Sequence, residues 1–190
     1  MALAQASLAA PGHDATLERA RAGDVEAFGD LVRQHQRMVF GLALNVVRDR
    51  PAAEDVAQEV FLQLHRGLAG ISSAAHLLFW LRRVTAHRAI DEARRDRHRV
   101  RERSDEVPEL VVVRHDGDPL LVRTLRRLVA ALPPAPRTVV TLRYQEDLDP
   151  AEIAMMLDMP VNTVKSHLRR ALAVLRARAA QALAGKEDER

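Results

Sequence analysis

The sequence predicts an all-α protein made of two small helical domains joined by a flexible linker, the second ending in a helix-turn-helix. Composition gives the first indication. Ala, Leu and Arg dominate, aromatic residues are only 3% of the chain, and β-branched runs are few, a mix that favours helix over sheet. The second is periodicity: apolar side chains recur at three- and four-residue spacing along most of the chain, which puts them on one face of a helix. The third is a break. The stretch from His98 to Pro119 has mixed charges, Pro108 and the turn signal Asp116-Gly117-Asp118-Pro119, and it divides the 190 residues into pieces of small-domain size. The expected bounds are a first domain over 15–98, a linker over 99–119 and a second domain over 120–180. Domains this small bury modest cores, which leaves a role for a stabilising protein partner.

Residues 1–12, Ala-rich with Pro11-Gly12, read as loose. A short helix is expected from Ala15 to Ala22, closed by Gly23. Asp24 is placed to cap the next helix, whose apolar stripe is Val25, Phe28, Val32, Val39, Leu42 and Val46. The charges Arg48, Asp49 and Arg50 end it, and Pro51 suits a restart. The third helix, Ala52 to Arg66, turns Val56, Val60, Phe61, Leu64 and Leu68 inward and leaves Glu54, Asp55, Gln58, Glu59 and Gln63 to its other faces. A long fourth helix from Ser73 to Arg97 has the seam Leu77, Leu81 and Val84, with Trp80 at its edge. The same face then continues as Arg88, Asp91 and Arg95, whose alternating signs allow pairing. In the linker, Leu110–Val113 reads as a strand or as a segment that docks on a surface.

The second domain opens with a helix marked by Leu121, Leu125, Leu128 and Leu132 and stopped at Pro133-Pro134; Val139, Val140 and Leu142 belong to the next. Asp149, Pro150 and Glu152 stand in N-cap, N1 and N3 order, a strong helix start. That helix ends near Leu157, Asp158-Met159-Pro160 makes a tight connection, and a basic helix runs from Val161 to Ala180. A short helix, a short turn and a longer basic helix form a DNA-reading element. Ile153, Ala154 and Leu157 pack against Val164, Leu168, Ala171, Leu172 and Leu175. The opposite side carries Asn162, Ser166, Arg169 and Ala173, flanked by Lys165 and Arg170. Asn and Arg can read adenine and guanine edges. Lys165, Arg170, Arg176 and Arg178 suit backbone phosphates, and Thr163, with free amides at the helix start, can hold one. The plain alternative is an ordinary basic surface helix.

Net charge is only +3, but it is unevenly spread. Nine arginines and four acids lie between Arg82 and Arg103; five basic residues and no acid lie between Thr163 and Arg178; five acids fall from Glu146 to Asp158. Two separated basic surfaces suit a polyanion held at two points, and solvated helix faces are the alternative. There is no cysteine, which excludes disulfides, thiolate metal sites and cysteine catalysis. No Gly-rich loop, His-x-x-x-His pair or Ser-x-x-Lys arrangement is present. The histidines at 65, 76, 87 and 98 recur every eleven residues, about 16 Å apart along one helix and too far to share a metal. Neither a metal, a cofactor nor an enzymatic activity is expected. With no leader pattern and no membrane-length apolar run, a cytoplasmic protein is expected.

One ordered set of motifs is more specific. It comprises Ala27-Phe28-Gly29-Asp30-Leu31-Val32, the run from Ala53 to Leu62, Trp80-Leu81-Arg82-Arg83-Val84 and the run from Ala89 to Arg95. In the second half it continues with Leu132-Pro133, Arg137, Leu142, Glu152-Ile153-Ala154, Thr163-Val164-Lys165-Ser166, Arg170-Ala171 and Leu175-Arg176. In order and separation this set resembles the sigma-70 superfamily of bacterial RNA polymerase sigma factors, in its small extracytoplasmic-function group. The resemblance implies a protein that binds RNA polymerase core, through its β and β′ subunits, and directs promoter recognition and melting. Glu54, Asp55, Gln58 and Glu59 would contact the core. Trp80, Arg82, Arg83, His87, Arg88, Arg94 and Arg95 would serve the −10 element, Trp80 more as core packing than as a wedge. Asn162, Thr163, Lys165, Ser166, Arg169 and Arg170 would serve the −35 element. An anti-sigma factor is an implied partner, and the linker would lie along the polymerase.

The chain departs from the family pattern at His87, where Asn is usual, at Asp158, where Gly is usual, and at Pro160, which loses a Ser or Thr cap. Asp149 replaces the common Ser. Two other readings remain. A dimeric helix-turn-helix regulator would have no need of the acidic helix from Glu54 to Leu62. A DNA-free interaction protein that titrates a partner would lose the basic faces.

Overall fold

The computed structural model describes residues 11–99 and 119–187. The expected linker and its Leu110–Val113 run lie almost wholly outside the described residues. All regular structure among the described residues is helical: α1 (Pro11–Arg21), α2 (Val25–Val47), α3 (Arg50–Gly67), a 3₁₀ turn (Leu68–Gly70), α4 (Ala74–Arg99), α5 (Pro119–Ala130), α6 (Pro134–Tyr144), α7 (Pro150–Met156) and α8 (Val161–Glu187).

Local chemistry sets the boundaries. Gly23 takes φ +93 after α1, a left-handed conformation that costs glycine little. Asp24 then caps α2 by accepting from the Ala27 amide, and that bond, with the Arg19 guanidinium beside it, holds its carboxyl below the usual range. Asp49 caps α3 through the Ala52 amide, with Pro51 inside the first turn. At α7 the expected start is complete: Asp149 accepts from the Ala151 and Glu152 amides, and Glu152 reaches back to the Asp149 amide at 2.7 Å.

Three inward faces differ from expectation. On α2 the buried positions include the expected Val39, Leu42 and Val46, and also Ala27, Leu31 and His35. Val25 is 83% exposed, and Val32 is half-buried. On α4 the core face passes from Leu81 to Thr85, Ala86, Ala89, Ile90 and Ala93, in which the three alanines are small side chains that let α4 lie close against its neighbours. Arg88, Asp91 and Arg95 line a surface groove instead. In α5, Leu125 is 52% exposed, and Leu128 packs with Leu132, Val140, Ala171 and Leu175 in a small satellite core.

The main core is continuous across both helical units. Leu31, Val39, Leu42, Leu64, Leu77 and Leu81 of the first share one cluster with Val139, Leu142, Ile153 and Met156 of the second. α6 packs against α2 and α4. This junction buries a cation. Arg137 on α6, only 5% exposed, donates to the Val46 carbonyl at 2.5 Å and to the Leu132 carbonyl at 2.7 and 3.2 Å. In the opposite direction, Arg48 ends α2 in a left-handed conformation (φ 70) and donates to the Ala130 carbonyl at 2.9 Å. Asn45 and Gln145 hydrogen-bond beside them.

Arg137→Met keeps much of the side-chain volume but strips the buried Val46 and Leu132 carbonyls of a charged donor. A loss of about 3 kcal/mol of unfolding free energy is expected, read as a lower urea midpoint at unchanged slope. An unchanged midpoint would show that Arg137 is not a stabilising clamp.

Candidate nucleic-acid interface

The helix-turn-helix is built as its sequence pattern requires. Ile153 and Ala154 of α7 and Val164, Ala171 and Leu175 of α8 are buried. Leu157 is buried too, while Leu168 and Leu172 are half-buried. Asp158 takes φ 51 in the turn, a conformation that Asp tolerates better than most residues. α8 begins at Val161, and the Pro160 carbonyl accepts from the Thr163 and Val164 amides at 2.8 and 3.2 Å. The Thr163 amide is therefore already engaged, contrary to the expectation of a free donor there; its half-buried side chain is what remains.

On the outward side of α8, Asn162, Lys165, Arg169 and Arg170 are exposed and Ser166 is half-buried. Arg170 donates to the Ser166 carbonyl at 3.2 Å. None of Lys165, Arg169, Arg170, Arg176 and Arg178 forms an ion pair among the described residues. This surface meets solvent with its charge uncompensated, which suits a phosphate backbone. His167 lies among these cations, half-buried. Burial, and then the positive charge of Arg170, hold its pKa below the ordinary 6.5.

The basic face of α4 is arranged differently. Trp80 is half-buried against the main core. Arg82 pairs with Glu146 at 2.8 Å, with side chains only 18% and 7% exposed. Arg83 donates to the Met155 carbonyl at 3.2 Å and to Asp158 at 2.6 Å. His87 Nε2 donates to the Met156 carbonyl at 3.0 Å and lies 3.6 Å from Asp158. Arg88 pairs with Glu59 and donates to Gln63 at 3.2 Å. Arg94 and Arg95 are the most exposed of the set, with partners on their own helix, Asp91 at 3.8 Å and Glu92 at 3.2 Å.

The acidic face of α3 presents Glu54, Asp55, Gln58 and Glu59, all exposed. Glu54 pairs with Arg50 at 3.0 Å. Leu62, 49% exposed, lies one turn beyond Gln58 and Glu59. Sequence reasoning left it out because it belongs to neither the apolar stripe nor the acidic set. An exposed apolar centre with a polar rim is the composition of a protein contact.

An uncompensated basic helix in a helix-turn-helix, and a second basic helix flanked by an acidic, Leu-centred face, have the composition of a helical DNA-binding protein with a further face suited to a protein contact. Comparison with known proteins narrows the class. The Sigma-70 region 2 model matches residues 31–99 and the Sigma-70, region 4 model matches 123–175, together more than half of the chain. The chain is 34% identical over 170 residues to the probable RNA polymerase sigma factor RfaY of Xanthomonas campestris, covering 84% of this chain and 42% of that protein. It is 31% identical to the RNA polymerase sigma-H factor of Pseudomonas aeruginosa (82% of this chain, 87% of that one). It is also 31% identical to the ECF RNA polymerase sigma factor SigK of Mycolicibacterium vanbaalenii (86% and 87%). The fold resembles CnrH, solved in complex with the cytosolic domain of CnrY (TM-score 0.65, 21% identity, 89% of this chain and 97% of that one). It also resembles the sigma factor RpoE of Bartonella quintana, solved with the anti-sigma factor NepR (TM-score 0.61, 18% identity, 80% and 96%).

The chain belongs to the sigma-70 family of RNA polymerase sigma factors, in its extracytoplasmic-function group. As a sigma factor it serves RNA polymerase in promoter-specific initiation of transcription. Among the described residues no helix is long and apolar enough to cross a membrane.

His167 supplies a pH test of the recognition helix. Its folded-state pKa is depressed, so the unfolded chain takes up the proton first as pH falls. Stability is full above 6.5 and declines as pH drops from there through the lower folded value. Urea titrations at several pH values should show this slope, and His167→Gln should flatten it. An equal slope in the variant would assign the effect to other groups.

Proposed function

We propose that the chain works purely by binding, with its labour divided among three faces. The α3 face of Glu54, Asp55, Gln58 and Glu59, centred on Leu62, docks on RNA polymerase core. Arg82, Arg83, His87, Arg88, Arg94 and Arg95 of α4 hold the opened strand at the −10 element, with Trp80 packing beneath them. Asn162, Thr163, Lys165, Ser166, Arg169 and Arg170 read the −35 element as a duplex. The carrying observation is the charge of α8: an exposed row of cations without ion pairs among the described residues, on a helix whose other side is locked into a capped helix-turn-helix.

The energetics fit a binding factor. Unstacking DNA costs a few kcal/mol per step, and arginines that coat the single strand can offset that without bond chemistry. An anti-sigma factor is a natural partner for the same acidic and basic faces, and the cytoplasm is the compartment in which these partners meet. The test is runoff transcription with core enzyme on genomic DNA, with the 5′ ends sequenced. Starts downstream of two spaced elements support the proposal; failure to bind core would end it.

Two substitutions resolve the faces. Arg169→Ala should lower discrimination at the upstream element by about 1–3 kcal/mol, whereas Arg178→Ala should weaken all duplexes alike and reduce the salt slope. Equal, sequence-independent losses in mobility-shift titrations would remove Arg169 from base reading. Leu62→Ala should weaken core binding by more than 1 kcal/mol, about the threshold for an interface residue that matters, with duplex affinity unchanged; unaltered core affinity would take Leu62 out of the contact.

A further inference from the structure

The turn that aims the recognition helix is sealed by a thioether. Three of the chain's five methionines, Met155, Met156 and Met159, stand at the end of α7 and in the turn that follows, and the chain has no cysteine. Thioethers are therefore the only sulfur that it offers to an oxidant. Their surroundings differ. Met155 is 60% exposed, Met156 is buried in the main core, and Met159 is half-buried and packs against that core. We propose that Met159 is a reversible oxidation site, at which hydrogen peroxide disables presentation of the recognition helix. The inference rests on the duplex-reading role given to α8.

Backbone geometry separates Met159 from its neighbours. Asp158 takes φ 51, and the Met159 amide then donates to the Ala154 carbonyl at 3.1 Å. That is the long bond of a Schellman motif, which is commonly accompanied by an apolar contact from the donating residue back to the last turn of the helix. Met159 supplies an apolar side chain at that position. The core against which it packs includes Ile153, Ala154, Leu157 and Val164. The next residue, Pro160, starts α8 by accepting from the Thr163 and Val164 amides. Met159 thus lies between the two helices of the helix-turn-helix and sets the angle at which Asn162, Ser166 and Arg169 are presented. It acts through them, as a positioning residue.

The reaction is a two-electron oxygen transfer. A sulfur lone pair attacks one peroxide oxygen, and an S–O bond forms as the O–O bond breaks. The departing hydroxide takes the proton of the transferred hydroxyl and leaves as water. Sulfur is oxidised, peroxide is reduced, and the product is methionine sulfoxide, which is polar and chiral. On Met155 the new oxygen meets solvent. On Met159 it either loses its hydration in the apolar seal or draws the side chain out of it, and both weaken the turn. Met156, 1% exposed, is out of reach. Met159 is reached from the turn, where Asp158 and Pro160 on either side are exposed. Sulfoxide reductases, one for each epimer, return the thioether.

The test uses the full chain, treated with hydrogen peroxide and then freed of it. Peptide mass spectrometry locates the added oxygen. Binding is read by fluorescence anisotropy on a labelled duplex that the untreated chain has selected from a random-sequence pool, and urea midpoints are taken in parallel. Oxygen is expected on Met155 and Met159 and not on Met156. Affinity should fall about tenfold, the scale of one buried polar group left unpartnered. The urea midpoint should fall with it, and treatment with both sulfoxide reductases should restore both. Met159→Leu, of similar volume, should bind as the parent does and keep its affinity after peroxide, whereas Met38→Leu and Met155→Leu should lose it as the parent does. Met159→Gln, a polar stand-in for the sulfoxide, should weaken binding without peroxide. Unchanged affinity and midpoint with Met159 oxidised, or an equal loss in Met159→Leu, would overturn the proposal. Failure to select any duplex would instead reject the duplex-reading role of α8, and the midpoints would still decide the oxidation site.

Discussion

Among the described residues, three helix C-termini end on basic side chains that belong to the other helical unit. Val46 at the end of α2 receives Arg137, Ala130 at the end of α5 receives Arg48, and the last carbonyls of α7 receive Arg83 and His87. Each exchange satisfies carbonyls that a helix cannot satisfy itself and places positive charge at the negative end of its dipole. The apolar core then closes around them, with Val139, Leu142 and Met156 joining Leu42, Val46 and Leu81. The relative placement of α4 and α8 follows from these contacts.

Local interactions were legible in the residues, and distant ones were not. The cap at Asp24, the turn at Gly23 and the full capping box at Asp149 and Glu152 each depend on neighbours within three residues, and all are present. The C-terminal part of the α2 stripe, Val39, Leu42 and Val46, is buried as expected, but its first turns were misjudged because the core positions there include a small residue and a histidine, Ala27 and His35, while Val25 is apolar but exposed. The alanines of α4 escaped for the same reason: a pattern weighted to large side chains ends at Val84, although the buried face continues to Ala93. Arg48 reads as a helix-ending charge and Arg137 only as one residue of a motif set. Their roles depend on carbonyls 82 and 91 residues away, and a backbone carbonyl leaves no signature in sequence.

The candidate site shows the same division. The residues of α8 form the surface that amphipathic spacing implies. The residues of α4 have the expected identities and a different state, because acids from the segment Glu146 to Asp158 reach them. That segment separates two basic surfaces in sequence. In space, Glu146 pairs with Arg82 and Asp158 with Arg83, Asp149 and Glu152 cap α7, and Asp147 lies 3.8 Å from Arg143. His87 and Asp158, two of the departures from the family pattern, face each other across the junction at 3.6 Å. Their coupling gives both a physical reason to differ from Asn and Gly.

The central claim is that exchanged basic side chains and a shared apolar core fix the two helical units against each other. The direct measurement is the distance between spin labels on Gln34→Cys in the first unit and Ala177→Cys in the second, both at exposed positions, taken by double electron–electron resonance. The account predicts one narrow, short distribution for the free chain, broadened when Arg48→Met and Arg137→Met are combined. A free chain already spread over long distances, or an unchanged distribution in the double variant, would contradict it.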